Sequence, residues 1–520
     1  MLLCVSAPAA PAQAWTPDTT AGRYKNPIIF ADYSDPDVIR VGEDFYMTAS
    51  SFGSVPGLPI LHSRDLVHWR LINHAVRRLG ADFDAPQHGN GVWAPSIRYH
   101  DGAYYIYYGD PDRGIFMVKT RDIRGAWDAP VLVKAAKGWI DPCPLWDDDG
   151  NAYLVHAFAN SRAGIKSVLH VNRLSSDGTR VLDEGTLVFD GHEHHPTIEG
   201  PKFYKRDGWY YIFAPAGGVP TGWQAVLRSR NVLGPYKDRI VLAQGRTAVN
   251  GPHQGAWISL KNGDDWFIHF QDRDAYGRIV HLQPMAWRAD DWPVIGADAD
   301  SDGTGEPVLA SRMPRVGRRY PAEVPQTSDE FNSTRLGLQW QWQGNDQPGW
   351  YSLAAHRGLL RLNAQPLPSD GANLWMVPSL LLQKLSAPAF TASTAVSLGG
   401  SGDETAGLVV FGTDYAYVAL RRSGAVTDIV QARASDAPKG EREQVGAPVR
   451  VNSRSVHLRV TVSDSALCRF AYSVDGRSWT SFGEPFKARK GRWVGAKVGL
   501  FAVSAVGKST SADFAFFRVH

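Results

Sequence analysis

The sequence predicts an all-β protein, a five-bladed β-propeller followed by a two-sheet β-sandwich. Three observations carry this reading. One strand–turn–strand pattern recurs five times between Asp35 and Ile268. No amphipathic helix interrupts it. Beyond a stretch rich in Gly, Pro, Arg and Ser, around Asp300 to Thr327, strand-like runs resume without that pattern.

Each copy sets an acidic or aromatic residue near a Pro, then runs an apolar strand, a turn and an aromatic strand. The first is Asp35-Pro36-Asp37-Val38-Ile39-Arg40, the turn Gly42-Glu43-Asp44, and Phe45-Tyr46-Met47. The second is Trp93-Ala94-Pro95 to Arg98, Asp101-Gly102, and Tyr104 to Tyr107. Asp141-Pro142, Asp149-Gly150 and Tyr153-Leu154-Val155 make the third, and Glu199-Gly200-Pro201, Asp207-Gly208 and Trp209 to Ile212 the fourth. A weaker fifth runs from His253 through Trp257 and Asn262-Gly263 to Trp266-Phe267-Ile268. Asp-Gly between alternating strands is a hairpin signal, because the tight turn needs positive φ at both residues. Pro at a strand start gives up an N–H where least is lost. Antiparallel units of this length are propeller blades, so five copies predict five blades.

The second region contains runs such as Gly358 to Leu362, Ala406 to Phe411 and Val456 to Val462. Many strands with turn punctuation suggest two packed sheets. The expected organisation is a propeller over 22–310, a linker over 311–327 and a sandwich over 328–520. Ser473 to Trp479, with Asp475-Gly476, reads as a hairpin turn. Asp329 and Asp513 flank the sandwich and are read as surface caps or as ligands of a structural calcium.

At 520 residues the chain exceeds one compact core, so two or three domains are expected. Its 18 Trp, 19 Tyr and 21 Phe suit β-cores and also offer platforms for sugar rings. The net charge of +3 is spread along the chain, and the cluster Lys487 to Arg492 reads as a solvated loop or strand end. No nucleic-acid partner is expected. No apolar run reaches eighteen residues, so no membrane helix is expected either. Met1 to Ala14 is apolar and ends Ala12-Gln13-Ala14, which fits a signal-peptidase site. Residues 1–14 are therefore read as a signal-peptide remnant, and the protein as secreted or periplasmic. Cys4 lies in that leader, while Cys143 and Cys468 fall in different domains, so no disulfide is expected.

The innermost strand of each blade lines the central channel, and its start opens on one face. The repeat therefore brings Asp35, Asp141 and Glu199 together near one axis, with Trp93 on the second blade and His253 on the fifth. Acids at the mouth of an apolar core cost energy unless solvated, paired or functional. Singly, each acid-Pro pair reads equally well as a strand-start device, but that reading does not explain their matching register. Glycoside hydrolysis needs such a set: a protonated acid for the leaving oxygen, a carboxylate to activate water, and a third acid to raise the donor's pKa. A flat aromatic such as Trp93 stacks on a sugar face.

These motifs resemble glycoside hydrolase family 43. The resemblance rests on Asn26-Pro27-Ile28 with Ser34 to Arg40, on Gly57 to Ile60 with His62 to Leu66, and on Ile140 to Pro144 with Asp147 to Gly150. Ile198 to Lys202 and Gly251 to Gly255 complete it, and the second region resembles the concanavalin-like (jelly-roll) sandwich of xylosidase-type members. The resemblance implies Asp35 as general base, Asp141 as pKa modulator and Glu199 as general acid, acting with inversion. It implies Trp93 and Phe52 as walls of the sugar pocket and Arg278 as a contact to the terminal sugar. Asp37, where Ser is common in the family, lies two residues along the strand and is not expected to be the base. No cofactor is implied for the chemistry. His253 would sit on the axis, where members hold a calcium ion through water; a hydrogen-bonded core histidine is the competing reading.

The expected activity is exo-hydrolysis of terminal β-D-xylose or α-L-arabinofuranose from plant cell-wall oligosaccharides, as in xylan degradation. An endo-acting arabinanase would need an open groove. A carbohydrate-binding propeller without catalysis would not need all three acids.

Overall fold

The computed structural model describes residues 14–19, 22–368, 373–400, 402–504 and 509–520. The leader reading falls on residues 1–13, which lie outside the described residues, apart from Ala14. Five four-stranded antiparallel sheets form the propeller, and each is contiguous in sequence. Blade 1 spans residues 37–76, blade 2 93–135, blade 3 139–190, blade 4 202–242 and blade 5 253–295. The Asp-Gly turns behave as read: Asp101 and Gly102 have φ of 46° and 75°, and Asp207 and Gly208 have 50° and 72°.

Apolar side chains alternate along the strands, so each blade buries both faces against its neighbours. Every gap between blades therefore has its own core. Tyr46 meets Tyr104 edge-on between blades 1 and 2, with ring centroids 5.5 Å apart. Trp146 packs on Tyr105 between blades 2 and 3, Phe203 and Tyr153 share the next gap, and Phe213 stacks near Phe267 between blades 4 and 5. Val38 and Met47 of blade 1 close against Ile258 and Ile268 of blade 5.

No strand is exchanged at that last gap. The segment before blade 1 seals it instead. Ile29 and Val280 exchange backbone hydrogen bonds. The Asn26 side chain accepts from Leu282 N and donates to Leu282 O, each at 2.8 Å. Arg23–Lys25 pairs with Ala310–Arg312. Ser311 and Arg312, expected at the head of a linker, thus belong to the closure of the ring.

The sandwich stacks a nine-stranded sheet on a seven-stranded one. Its core is continuous with the propeller: Phe30, Tyr276 and Ile279 join the cluster that contains Leu408, Leu458 and Phe514. Burying a side chain such as Phe30 contributes about 1.5–3 kcal/mol. Polar contacts fix the docking. Val55 and Trp342 exchange backbone hydrogen bonds, and Asn345 bonds Leu79 through its Oδ1 and Nδ2. Apolar area joined to directed hydrogen bonds makes this interface a rigid one.

Several smaller expectations resolve here. Cys143 and Cys468 are free and buried. Asp475 accepts from Arg477 N and Ser478 N, both at 2.8 Å, in the hairpin after Leu467–Ser473. Asp329 accepts from Phe331 N and Trp340 Nε1, and Asp513 pairs bidentately with Arg361. With their oxygens engaged by protein donors, Asp329 and Asp513 act as caps and ion-pair partners; the calcium reading finds no support. No helix among the described residues is long and apolar enough to cross a membrane.

Candidate active site

Irregular backbone at the blade starts aims the side chains. The pairing of the first two strands of blade 3 slips between Ile140 and Cys143, leaving Asp141 in a bulge with φ of 58°. The same slip separates Trp93 from Ser96 in blade 2, and His253 from Gly255 in blade 5, where Gln254 has φ of 39°. Asp35, just ahead of blade 1, has φ of 55°. Left-handed backbone at a non-glycine residue costs about 1–3 kcal/mol and concentrates where a side chain must be re-aimed.

The result is a pocket of about 130 Å³ whose lining includes Asp35, Asp141, Glu199 and Arg278, with Phe52 and Trp93 as aromatic walls. All six residues expected from the sequence meet there. Asp37 does not: it is fully buried, and it accepts from Ile97 N and Arg98 Nη1, each at 2.7 Å, tying blade 1 to blade 2.

The three acids have different surroundings. Asp35 is clasped by donors, with Ser34 Oγ at 2.8 Å, Ser50 Oγ at 2.5 Å and Arg278 Nη1 at 2.9 Å. The guanidinium compensates a buried negative charge. Asp141 is buried too, and its Oδ2 accepts the backbone N–H of Gly200 at 2.7 Å. Burial first, and then the charge of Glu199, push the Asp141 carboxyl well above the usual carboxylate range. Glu199 is the accessible member of the pair, with a third of its side chain exposed and Oε1 3.2 Å from His253 Nε2. Position 200 favours glycine: φ is 56°, and a Cβ would stand 2.6 Å from the Gln254 side chain, which would have to move.

His253 is fully buried on the innermost strand of blade 5. Its Nε2 is committed to Glu199, and its Nδ1 faces Gly222, where a Cβ would lie 3.0 Å away. Calcium takes six to eight oxygen ligands. Among the described residues, the one cluster of three ligating side chains is Asp298, Asp300 and Asp302, which does not include His253. His253 Nε2 is a partner of Glu199, and no calcium site that includes His253 is seen among the described residues.

Five further residues line the pocket that the sequence reading did not assign to it: Ala94, Ile140, Val219, Gln254 and Trp493. Trp493 comes from the sandwich, half exposed with φ of 66°, and meets Trp93 edge-on at 6.2 Å. It directly follows the basic cluster Lys487 to Arg492, whose charged side chains are exposed, as expected of a solvated loop or strand end. Lys490 and Arg492 line an adjoining cleft of about 370 Å³, which shares Val219, Arg278 and Trp493 with the pocket. The available signal was an indole in a loop between Gly491 and Gly495, where a solvated role leaves it unexplained.

Carboxylates of unlike environment facing an aromatic-walled pocket on a propeller axis are the equipment of the glycoside hydrolases. The comparisons narrow this class. The model of glycosyl hydrolases family 43 matches residues 24–293, and that of the beta xylosidase C-terminal concanavalin A-like domain matches 328–520. The chain belongs to glycoside hydrolase family 43. A beta-xylosidase homologue of Xylanibacter ruminicola is 42% identical over 93% of this chain and 86% of its own length. The beta-xylosidase of Formosa agariphila is 32% identical over 93% and 88%. A non-reducing end alpha-L-arabinofuranosidase of Bacteroides ovatus is 31% identical over 75% and 74%. In fold, the xylan beta-1,4-xylosidase of Bacillus halodurans superposes with a TM-score of 0.85 at 24% identity, covering 95% of this chain and 99% of its own.

Proposed function

We propose that this glycoside hydrolase is exo-acting and inverting, and releases terminal β-D-xylose or α-L-arabinofuranose from xylan-derived oligosaccharides. The observation that carries the reading is the asymmetry of the acids: a donor-clasped Asp35 and the neighbouring Asp141 and Glu199 share one small pocket lined also by Trp493. Burial and the charge of Glu199 favour the protonated form of Asp141. Glu199 is the member exposed to the pocket, and as general acid it delivers a proton to the leaving oxygen as the glycosidic C–O bond breaks. Asp35 takes a proton from the water whose oxygen forms the new bond to the anomeric carbon. Arg278 orients Asp35, Asp141 acts as the modulator beside Glu199, and Phe52 and Trp93 stack on the terminal ring. A sandwich residue over the mouth favours one ring in a pocket over a chain in a groove, and so exo over endo action. The apolar Met1 to Ala14 segment goes with export to the periplasm or the medium.

The test is turnover of para-nitrophenyl β-D-xylopyranoside and para-nitrophenyl α-L-arabinofuranoside, with proton NMR of the first-formed anomer. Turnover with inverted product, reduced roughly 10²–10⁴-fold by Glu199→Ala, is expected. Retained configuration, oligosaccharide products from linear substrates, or full activity in the variant would sink the reading.

A further inference from the structure

Asp32 is buried, three residues before Asp35, and the mechanism above gives it no task. Its two oxygens reach two different domains. Oδ1 accepts the backbone N–H of Arg278 at 2.9 Å, and Oδ2 accepts the backbone N–H of Gly495, also at 2.9 Å. Gly495 follows Trp493 by two residues, and Arg278 holds Asp35. Tyr33 N donates to Arg278 O at 3.1 Å, so residues 32–35 clasp both the backbone and the side chain of that arginine.

The local sequence is built around this carboxylate. Gly277 has φ of 73°, and a Cβ there would stand 2.5 Å from Asp32 Cγ and 2.7 Å from Gly495 N. A Cβ on Gly495 would meet Gly277 N at 2.7 Å. Two glycines thus let the blade 5 loop and the sandwich loop approach until one side chain bonds both.

We infer that Asp32 is a positioning residue that couples the Arg278–Asp35 pair to the Trp493 loop, so that the sandwich sets the geometry of the pocket floor as well as its roof. Hydrogen bonds from N–H to a buried carboxylate are short, strong and directional. The inference rests on the glycosidase reading. Asp32→Asn tests it well: the shape is kept, but the amide presents an N–H to one of the two donors, so one link is lost.

The experiment is a double-mutant cycle on kcat/KM for the aryl xyloside, using full-length wild type, Asp32→Asn, Trp493→Ala and the double variant. Asp32→Asn is expected to lose roughly tenfold or more. The double variant is expected to lose much less than the product of the single losses, because both changes undo one arrangement. Multiplying losses, or Asp32→Asn within about twofold of wild type, would overturn the inference; a residue that merely supports folding gives multiplying losses. If Asp32→Asn does not fold, amide exchange in the wild type decides. Slow exchange at both Arg278 and Gly495 is expected, and fast exchange at either overturns the link. An inactive wild type would instead count against the glycosidase reading.

Discussion

In the propeller, Asp35, Trp93, Asp141 and Glu199 stand at or just before the starts of innermost strands, one to a blade. Asp35 and Asp141 are re-aimed by left-handed backbone and Trp93 lies at a slipped register, while Glu199 stands just ahead of its strand beside Gly200. In the sandwich, Trp493 stands on a loop that repeats nowhere, and reaches the pocket because two cores have fused around Phe30 and Tyr276. On the proposed mechanism the first region supplies the reacting groups and the second supplies shape, so the chemistry rests on the repeated scaffold and a docked loop adds a wall.

That division can be broken by substitution. Asp35→Asn should cost roughly 10²–10⁴-fold in kcat on either aryl glycoside, since it removes the proton acceptor and keeps the shape. A loss confined to KM would place Asp35 among the shaping residues. Trp493→Ala should cost about tenfold in kcat/KM, the worth of one aromatic contact, and should fall mainly on KM. If kcat falls as far as it does for Asp35→Asn, the sandwich is doing more than shaping. The smallest effect is on stability. Burial and Glu199 raise the carboxyl of Asp141 in the folded state, so between the unfolded and folded values the native state binds more protons. Stability is then lost as pH rises through the folded value. Asp141→Asn should therefore raise Tm by a few degrees at pH 8, roughly the shift for one to two kcal/mol, with the gain fading below about pH 4. Activity should fall with it. A lower Tm at pH 8 would mean that the acid is not held at a cost.

The sequence announces the propeller well because its signals are local and repeated. Asp-Gly turns, aromatic strands and acid-Pro starts recur at matched offsets, so five weak readings support one another. The three acids were legible for the same reason. Trp493, Gln254 and Asp32 were not. Gln254 is hidden in a bulge that shifts which residue faces the axis, and a one-residue slip is invisible to alternation. Asp32 and Trp493 gain their meaning from partners more than two hundred residues away, and no spacing in the chain encodes such pairing. Lys487 to Arg492 is the solvated strand end and loop that its charges suggest, but a charge run does not reveal that Lys490 and Arg492 also line the cleft beside the pocket.

The seal of the ring has a consequence for synthesis. Asp35 and Arg278 are 243 residues apart, and they meet across the gap where blade 5 returns to the segment ahead of blade 1. At about 5–20 residues per second, a ribosome emits the arginine on the order of tens of seconds after the aspartate. Until then the nascent chain carries up to four blades and a carboxylate whose counter-charge does not yet exist. Completion of the ring and pairing of Asp35 with Arg278 are one event, and a chain released at any earlier blade lacks that pair.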